Sequence, residues 1–196
     1  MRVPPGIVVL EGADGSGKTR LANHFREKYG ARYMHSRIWR NRIMWDTTMI
    51  QRAERFVCDR GELVVLDRHW ITELVYGPIF RGGAAYGNDM ANEFDELICA
   101  APGVYVLCVP SDAQRHIARF ERLKTERKEA FDKIEQVVQR YQDLLHGNIA
   151  HPGDNLIDLF IRYGDFYSGR EVYHHDIDDP KCSVEKAARK ILEMLK

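Results

Sequence analysis

The sequence predicts an α/β fold, a parallel sheet of five strands with helices on both faces. Three observations predict it. Short, continuously apolar runs of strand length alternate with helical patterns along the chain, as expected of strands buried on both faces. A glycine-rich segment, Gly12-Ala13-Asp14-Gly15-Ser16-Gly17-Lys18-Thr19, fits the phosphate-binding pattern GxxxxGK[ST] without mismatch between the first such run and the first helix. Carboxylates or turn signals close the apolar runs at Glu11, Asp67 and Ser111, and ligands of open α/β sheets bind at the carboxyl ends of the strands.

Each element has its own justification. Residues 6–11 are a β-branched apolar strand ending at Glu11, and 17–29 carry Leu21, Ala22 and Phe25 at helical spacing. A short second strand, 32–35, precedes a basic and aromatic connector, 36–45. A helix over about 46–59 places Met49, Ala53 and Phe56 on one face. Leu63–Leu66 is the third strand and ends at Asp67-Arg68. Helical segments at 70–79 and 89–100 are split by Arg81-Gly82-Gly83. The fourth strand, 104–109, is stopped by Pro110, and Ser111 reads as the N-cap of a charged helix to about 128. A long helix follows to about 146, then His151-Pro152-Gly153 breaks the chain. Residues 147–170 are an unassigned insertion. Strand five is expected at 171–175, and Ser183 caps a last helix through Leu195. At 196 residues the whole chain is expected to be one domain.

Composition excludes several classes. The 29 basic and 29 acidic residues cancel, so no overall field draws the chain to nucleic acid or an anionic membrane. Four scattered cysteines without a CxxC pair suit a reducing compartment and neither a zinc site nor a disulfide framework. The N-terminal residues enter the first strand directly, and no apolar run is long enough to span a bilayer. The expected location is the cytoplasm, that of the host if the source is viral.

The phosphate loop carries the chemistry. Gly12, Gly15 and Gly17 permit close backbone approach, and the loop amides with the helix N-terminus attract anions. Ala13, Asp14 and Ser16 complete the loop. Lys18 can reach β- and γ-phosphates, and Thr19 can ligate Mg²⁺. Asp67 occupies the place of an acid that holds Mg²⁺ directly or through water. Glu11 could take a proton from an acceptor hydroxyl or help hold the metal. Arg68 can bridge two phosphates with its planar fork. Arg115, Arg119, Arg122 and Arg127 recur at roughly helical intervals over 115–129, and such a segment closing on ATP would neutralise transition-state charge. Trp39, Trp45 and Trp70 either stack on a base or fill the core.

Taken together, these segments resemble the thymidylate kinase family of P-loop kinases. Glu11 to Thr19 matches its EGxDGSGK[ST] loop, and Asp67-Arg68-His69 with Thr72 and Tyr76 is similar to its DR[YH]xxSxxAYQ segment. The arginine-bearing lid and the helix from Phe131 through Tyr141 to Leu144 look alike too. The likeness covers about residues 6–146. It implies Mg²⁺-dependent phosphoryl transfer from ATP to a thymidine-like acceptor, with Arg127 on the ATP side and Arg37, Trp39, Arg52 or Arg55, His69, Trp70 and Tyr76 near the acceptor. It leaves a homodimer open.

Departures from the family matter. Its TREPG segment is absent; His35-Ser36-Arg37 stands there. The glutamine that reads the thymine edge in the family is Gly77. Three acceptors therefore compete: a deoxynucleoside monophosphate, a free nucleoside with Glu11 as base, and a 5-hydroxymethyluracil base in DNA, as in some phage-type relatives. Arg37, Arg40 and Arg42 interleave with Trp39 as a strand-tracking groove would. A nucleotide switch or ATP-driven binding module is the alternative of a different class; it would lack the DRH segment and lid, and no NKxD segment is present.

Overall fold

A computed structural model describes residues 3–36, 42–85, 87–122, 133–146, 172–176 and 178–195. The elements run β1 (Gly6–Glu11), α1 (Lys18–Tyr29), β2 (Arg32–His35), α2 (Arg42–Arg60), β3 (Leu63–Asp67), α3 (Trp70–Arg81), α4 (Asn88–Ala100), β4 (Gly103–Leu107), α5 (Ala113–Arg122), α6 (Ile134–His146), β5 (Val172–His174) and α7 (Val184–Met194). The five strands form one sheet in the order β2-β3-β1-β4-β5, every pair parallel.

Strand β1 is central and wholly buried because both faces are covered. Ile7 and Val9 join one core with Met49 of α2, Trp70 of α3, Phe94 of α4 and Tyr141 of α6. Val8 and Leu10 join a second with Leu21 and Phe25 of α1 and Ile191 of α7. That two-sided burial is why β1 reads as a continuous apolar run rather than an alternating one. Register brings the strand ends together: Leu10 lies opposite Asp67, Glu11 opposite Leu107, and His35 opposite Asp67. The acids expected on one edge of the sheet do share it.

The helix ends follow local chemistry. Gly30, with φ 68°, terminates α1 and donates its N–H to the Phe25 carbonyl. Ser183 caps α7 as expected, its Oγ accepting from Lys186 N at 3.2 Å. At α5 the expected cap is corrected. Asp112, not Ser111, accepts from the third helical amide, Arg115 N, at 2.9 Å, while Ser111 N donates to Asp176 Oδ1. Helix α2 starts at Arg42, four residues before the expected start at 46, because Arg42 Nε and Asp46 Oδ2 pair at 2.6 Å one turn apart. Helix α3 continues past Pro78 to Arg81. Proline leaves the Leu74 carbonyl without its intrahelical donor, and Arg140 Nη1 of α6 donates to it at 3.4 Å. The insertion at 147–170 lies outside the described residues, as does the expected lid beyond 122. Among the described residues no helix is long and apolar enough to cross a membrane.

Candidate active site

The phosphate loop joins β1 to α1, with α1 beginning at Lys18 itself, so the positive end of the helix dipole faces the loop. Gly12 shows why the pattern demands glycine: a Cβ there would lie 2.2 Å from the Cys108 carbonyl oxygen and 2.7 Å from Ser16 Oγ. Lys18 is buried, its ammonium donating to the carbonyls of Gly12 at 2.7 Å and Ala13 at 2.6 Å and to Ser16 Oγ at 3.2 Å. Burial, then the nearby Arg68 cation, lowers its pKa to about 8. Thr19, the next residue, is exposed.

Asp67 at the end of β3 is 1% exposed. Its Oδ2 accepts from the Tyr33 hydroxyl at 2.8 Å and lies 3.5 Å from His35 Nδ1. Burial pushes its pKa up, but His35, Lys18 and Tyr33 outweigh burial and hold it below the ordinary carboxylate value. Oδ1 is buried without a hydrogen-bond partner among the described residues. An orphaned anionic oxygen beside a phosphate loop is of the donor type that fits Mg²⁺ or one of its waters.

Arg68 follows in a left-handed conformation, φ 69°, the one non-glycine residue with positive φ among the described residues. Such backbone is strained for a side chain with Cβ. It is held by its N–H, which donates to the Leu10 carbonyl at 2.9 Å. The guanidinium pairs with the Asp14 carboxylate of the phosphate loop and lies 4.8 Å from the centre of the Tyr76 ring. Tyr76 also stacks on Phe80.

Glu11 departs from expectation. Instead of presenting a free carboxylate to the crevice, it is fully buried and spends both oxygens on donors. Oε1 accepts from His69 N at 2.7 Å, and Oε2 accepts from Thr72 Oγ1 at 2.6 Å and the Tyr141 hydroxyl at 3.1 Å. Burial raises its pKa above the ordinary value against the lowering effect of those hydrogen bonds and of Arg68 and Lys18.

Trp70 and His69, both expected near the acceptor, are buried instead. Trp70 is 1% exposed and lies in the core, donating Nε1–H to the Tyr105 hydroxyl at 3.1 Å, which in turn donates to Asp95. A buried indole with its polar handle satisfied does not present a stacking face. His69 is likewise buried, edge-on to Phe94, with Nε2 3.2 Å from the Asp46 carbonyl; burial lowers its pKa. Arg52 is exposed on α2, away from the buried stripe of Met49, Ala53 and Val57. Arg42 is no strand-tracking cation. It is buried, bonded to Asp46 and the His69 carbonyl, with Nε 3.4 Å from Glu73. Arg115 is exposed and nearest Asp178, at 4.0 Å. Arg37, Trp39, Arg40 and Arg127 lie outside the described residues, as do the side chains of Arg119 and Arg122 in α5.

Gly77 acquires a structural reason. A Cβ there would lie 2.6 Å from the Gly83 carbonyl oxygen and 2.7 Å from Ala84 Cα. The turn after α3 fills the place that a side chain at 77 would take. Glu73 pins that turn, accepting from Arg81 Nη2 at 2.5 Å and Ala85 N at 3.3 Å. Sequence reasoning missed Glu73, Tyr33 and His116. The last is 1% exposed on α5, with Nε2 2.9 Å from the Asp14 carbonyl oxygen. The spacing of His116 and Phe120, one turn apart on a helix that follows a strand, was the available signal.

No protein-family model matches the chain, and no curated protein sequence does. Solved structures are similar in fold. The YorR protein of Bacillus subtilis, in complex with phosphorylated GDP, superposes with a TM-score of 0.63 at 16% identity, over 96% of this chain and 95% of that one. Deoxyadenosine kinase of M. mycoides with bound dATP gives 0.57 at 12% identity, over 94% and 98%. A gluconokinase of Sinorhizobium meliloti 1021 gives 0.50 at 13% identity, over 100% and 93%. At these identities the shared property is the fold, a five-stranded parallel α/β sheet; two of the three structures are named as kinases.

Proposed function

We propose that this chain is a P-loop kinase that transfers the γ-phosphate of ATP, with Mg²⁺, to a thymidine-like deoxynucleoside monophosphate. The observation that carries the choice of acceptor is the saturation of Glu11. With both oxygens committed to His69, Thr72 and Tyr141, Glu11 is poorly placed to deprotonate a hydroxyl. An acceptor that is already ionised needs no base, and a phosphate monoester is such an acceptor. The nucleotides in the YorR and deoxyadenosine kinase structures support a nucleotide ligand in this fold.

In this reading the loop amides and Lys18 hold the β- and γ-phosphates, exchanging the carbonyl contacts of Lys18 for phosphate oxygens. Thr19 and Asp67 would hold the metal, which when bound would supply positive charge to offset that of the phosphates. Arg68, beside Tyr76, aligns the acceptor phosphate. One of its oxygens attacks the γ-phosphorus, the bond to the β–γ bridging oxygen breaks, and ADP leaves. Arg119 and Arg122 on α5 neutralise the charge spread over the transferring group, Arg127 serves the ATP side, and Arg37 and Trp39 serve the acceptor. The chain acts as one domain, with its lid at 115–129.

The second reading is a 5-hydroxymethyluracil base in DNA. Gly77 favours it, since no side chain at that position can read a thymine edge. The burial of Arg42 in ion pairs counts against it, because one of the three cations assigned to the strand is otherwise engaged.

Labelled ATP and Mg²⁺ offered with dTMP, other deoxynucleoside monophosphates, thymidine, and DNA with or without hydroxymethyluracil test both. Label transfer to dTMP that Asp67→Asn reduces at least tenfold, with partial recovery at high Mg²⁺, is the expected result. Transfer to the modified DNA alone would replace the first reading by the second. ATP consumption at full rate without any acceptor would overturn both.

A further inference from the structure

Asp14 is held at both of its ends. Its carboxylate pairs with Arg68, from the turn after β3, and its main-chain oxygen faces His116 Nε2 at 2.9 Å, from α5 after β4. A carbonyl can only accept, so Nε2 carries the proton in this contact. The fit around it is close. Phe120, one turn beyond His116, closes over Gly15, where an added Cβ would lie 3.3 Å from Phe120 Cδ2 and 3.5 Å from His116 Cε1. Helix α5 is anchored at its start by the Asp112 cap and by the His116 N–H to the Asp112 carbonyl at 3.0 Å. The Asp14 side chain keeps 35% of its surface exposed, against 11% for Arg68. Elements on two sides of the phosphate loop therefore meet at a single loop residue.

We propose that His116 is a positioning residue that couples the two substrate sites through Asp14; this rests on the kinase reading above. The donor's phosphates fix the backbone of the loop, and with it the Asp14 carbonyl and carboxylate. His116 transmits that order to α5, the helix that carries Arg119 and Arg122, while the carboxylate sets the guanidinium of Arg68 toward the acceptor. Each ligand then binds more tightly when the other is present, by the same factor in both directions. The stacked Tyr76 ring and the strained backbone of Arg68 limit the alternatives open to the guanidinium, so the relay acts on one well-defined group.

Calorimetric titration tests the relay. Mg²⁺ with a non-hydrolysable ATP analogue and dTMP are each titrated alone and with the other saturating. Wild type, His116→Ala, His116→Gln, Asp14→Asn and the His116→Ala/Asp14→Asn pair are compared. In wild type each ligand is expected to tighten the other about tenfold, within the usual range of allosteric coupling. His116→Ala and Asp14→Asn should each remove most of that factor, and the pair should lose no more than either alone. His116→Gln, which keeps an N–H donor, should restore it. In turnover, His116→Ala should raise KM for each substrate more than it lowers kcat. Coupling unchanged in a folded His116→Ala protein would overturn the relay and leave the kinase reading standing. If His116→Ala does not fold, unchanged coupling in Asp14→Asn overturns it equally. Wild type that binds neither ligand would overturn both.

Discussion

Tyr141 of α6 donates its hydroxyl to Glu11 Oε2 at 3.1 Å, joining the end of the chain's first strand to a helix 130 residues later. The same oxygen takes the Thr72 hydroxyl, so three elements converge on one buried carboxylate. Charge at the foot of the phosphate loop is thereby organised by the fold itself, before any ligand arrives.

Replacing that carboxylate separates its structural and chemical roles. In Glu11→Gln the amide oxygen can face His69 N–H while the amide nitrogen donates to the two hydroxyls, so the fold and most activity on a monophosphate should survive, within about tenfold. The pH dependence of stability should change. The pKa of Glu11 is raised in the folded protein, so its contribution is fully present below the ordinary carboxylate range and is lost as pH rises through the folded value. The wild-type stability minus that of Glu11→Gln should therefore fall as pH rises above the ordinary carboxylate range. Denaturant titrations across that range check it; a constant difference would contradict the burial argument.

Lys18 has the opposite charge and a lowered pKa, about 8. The ammonium is the form that binds phosphate. Above that pH the free protein must take up a proton to bind, so ATP affinity should weaken as pH rises from about 7 to 9. Binding enthalpies near pH 8 should vary with the ionisation enthalpy of the buffer. Lys18→Ala should lose at least about tenfold in rate with its thermal unfolding little changed, and its residual binding should show no such proton uptake.

Gly77→Gln should not create a thymine reader. The new Cβ would meet the Gly83 carbonyl and Ala84, and overpacking of this kind costs about 1–3 kcal/mol. A lowered denaturation midpoint, without gain in selectivity for dTMP over other monophosphates, is the expected pair of results. A variant as stable as wild type would show that the turn at 82–85 yields freely.

Trp70→Phe removes the indole N–H from Tyr105 and leaves a small void in the core. A loss of about 1–3 kcal/mol in stability is expected. KM for ATP and for the acceptor should stay within about twofold, since the ring faces the core and not the crevice. A large selective rise in acceptor KM would restore Trp70 to the binding site.

The places of Lys18, Asp67 and Arg68 were readable in the sequence because they depend on a short segment with a fixed path: strand, loop, helix, or strand and turn. The order of elements was readable for a related reason, the inner strands β1 and β3 being buried and largely apolar on both faces. Glu11 was misread because its state depends on Thr72 and Tyr141, which only the folded chain brings near. Trp70 stood open between base and core, and periodicity cannot decide that; the partner at Tyr105, 35 residues on, does. His116 was hidden among the arginines that surround it, since charge pattern identifies the exposed face of a helix and says little about a lone buried imidazole.

The placement of β1 has a consequence for how the protein is made. Its neighbours are β3 and β4, and Ile7 pairs with Val64 on one side and Gly103 on the other. The glycine loop also leans on later sequence: Cys108 N donates to the Glu11 carbonyl at 2.7 Å, and Gly12 is shaped to pass the Cys108 carbonyl. Contacts of such separation form slowly and only after the intervening chain exists. A nascent chain therefore holds a complete nucleotide motif long before it holds a nucleotide pocket, and until β4 emerges its central strand is an exposed apolar segment open to chaperones or to wrong partners.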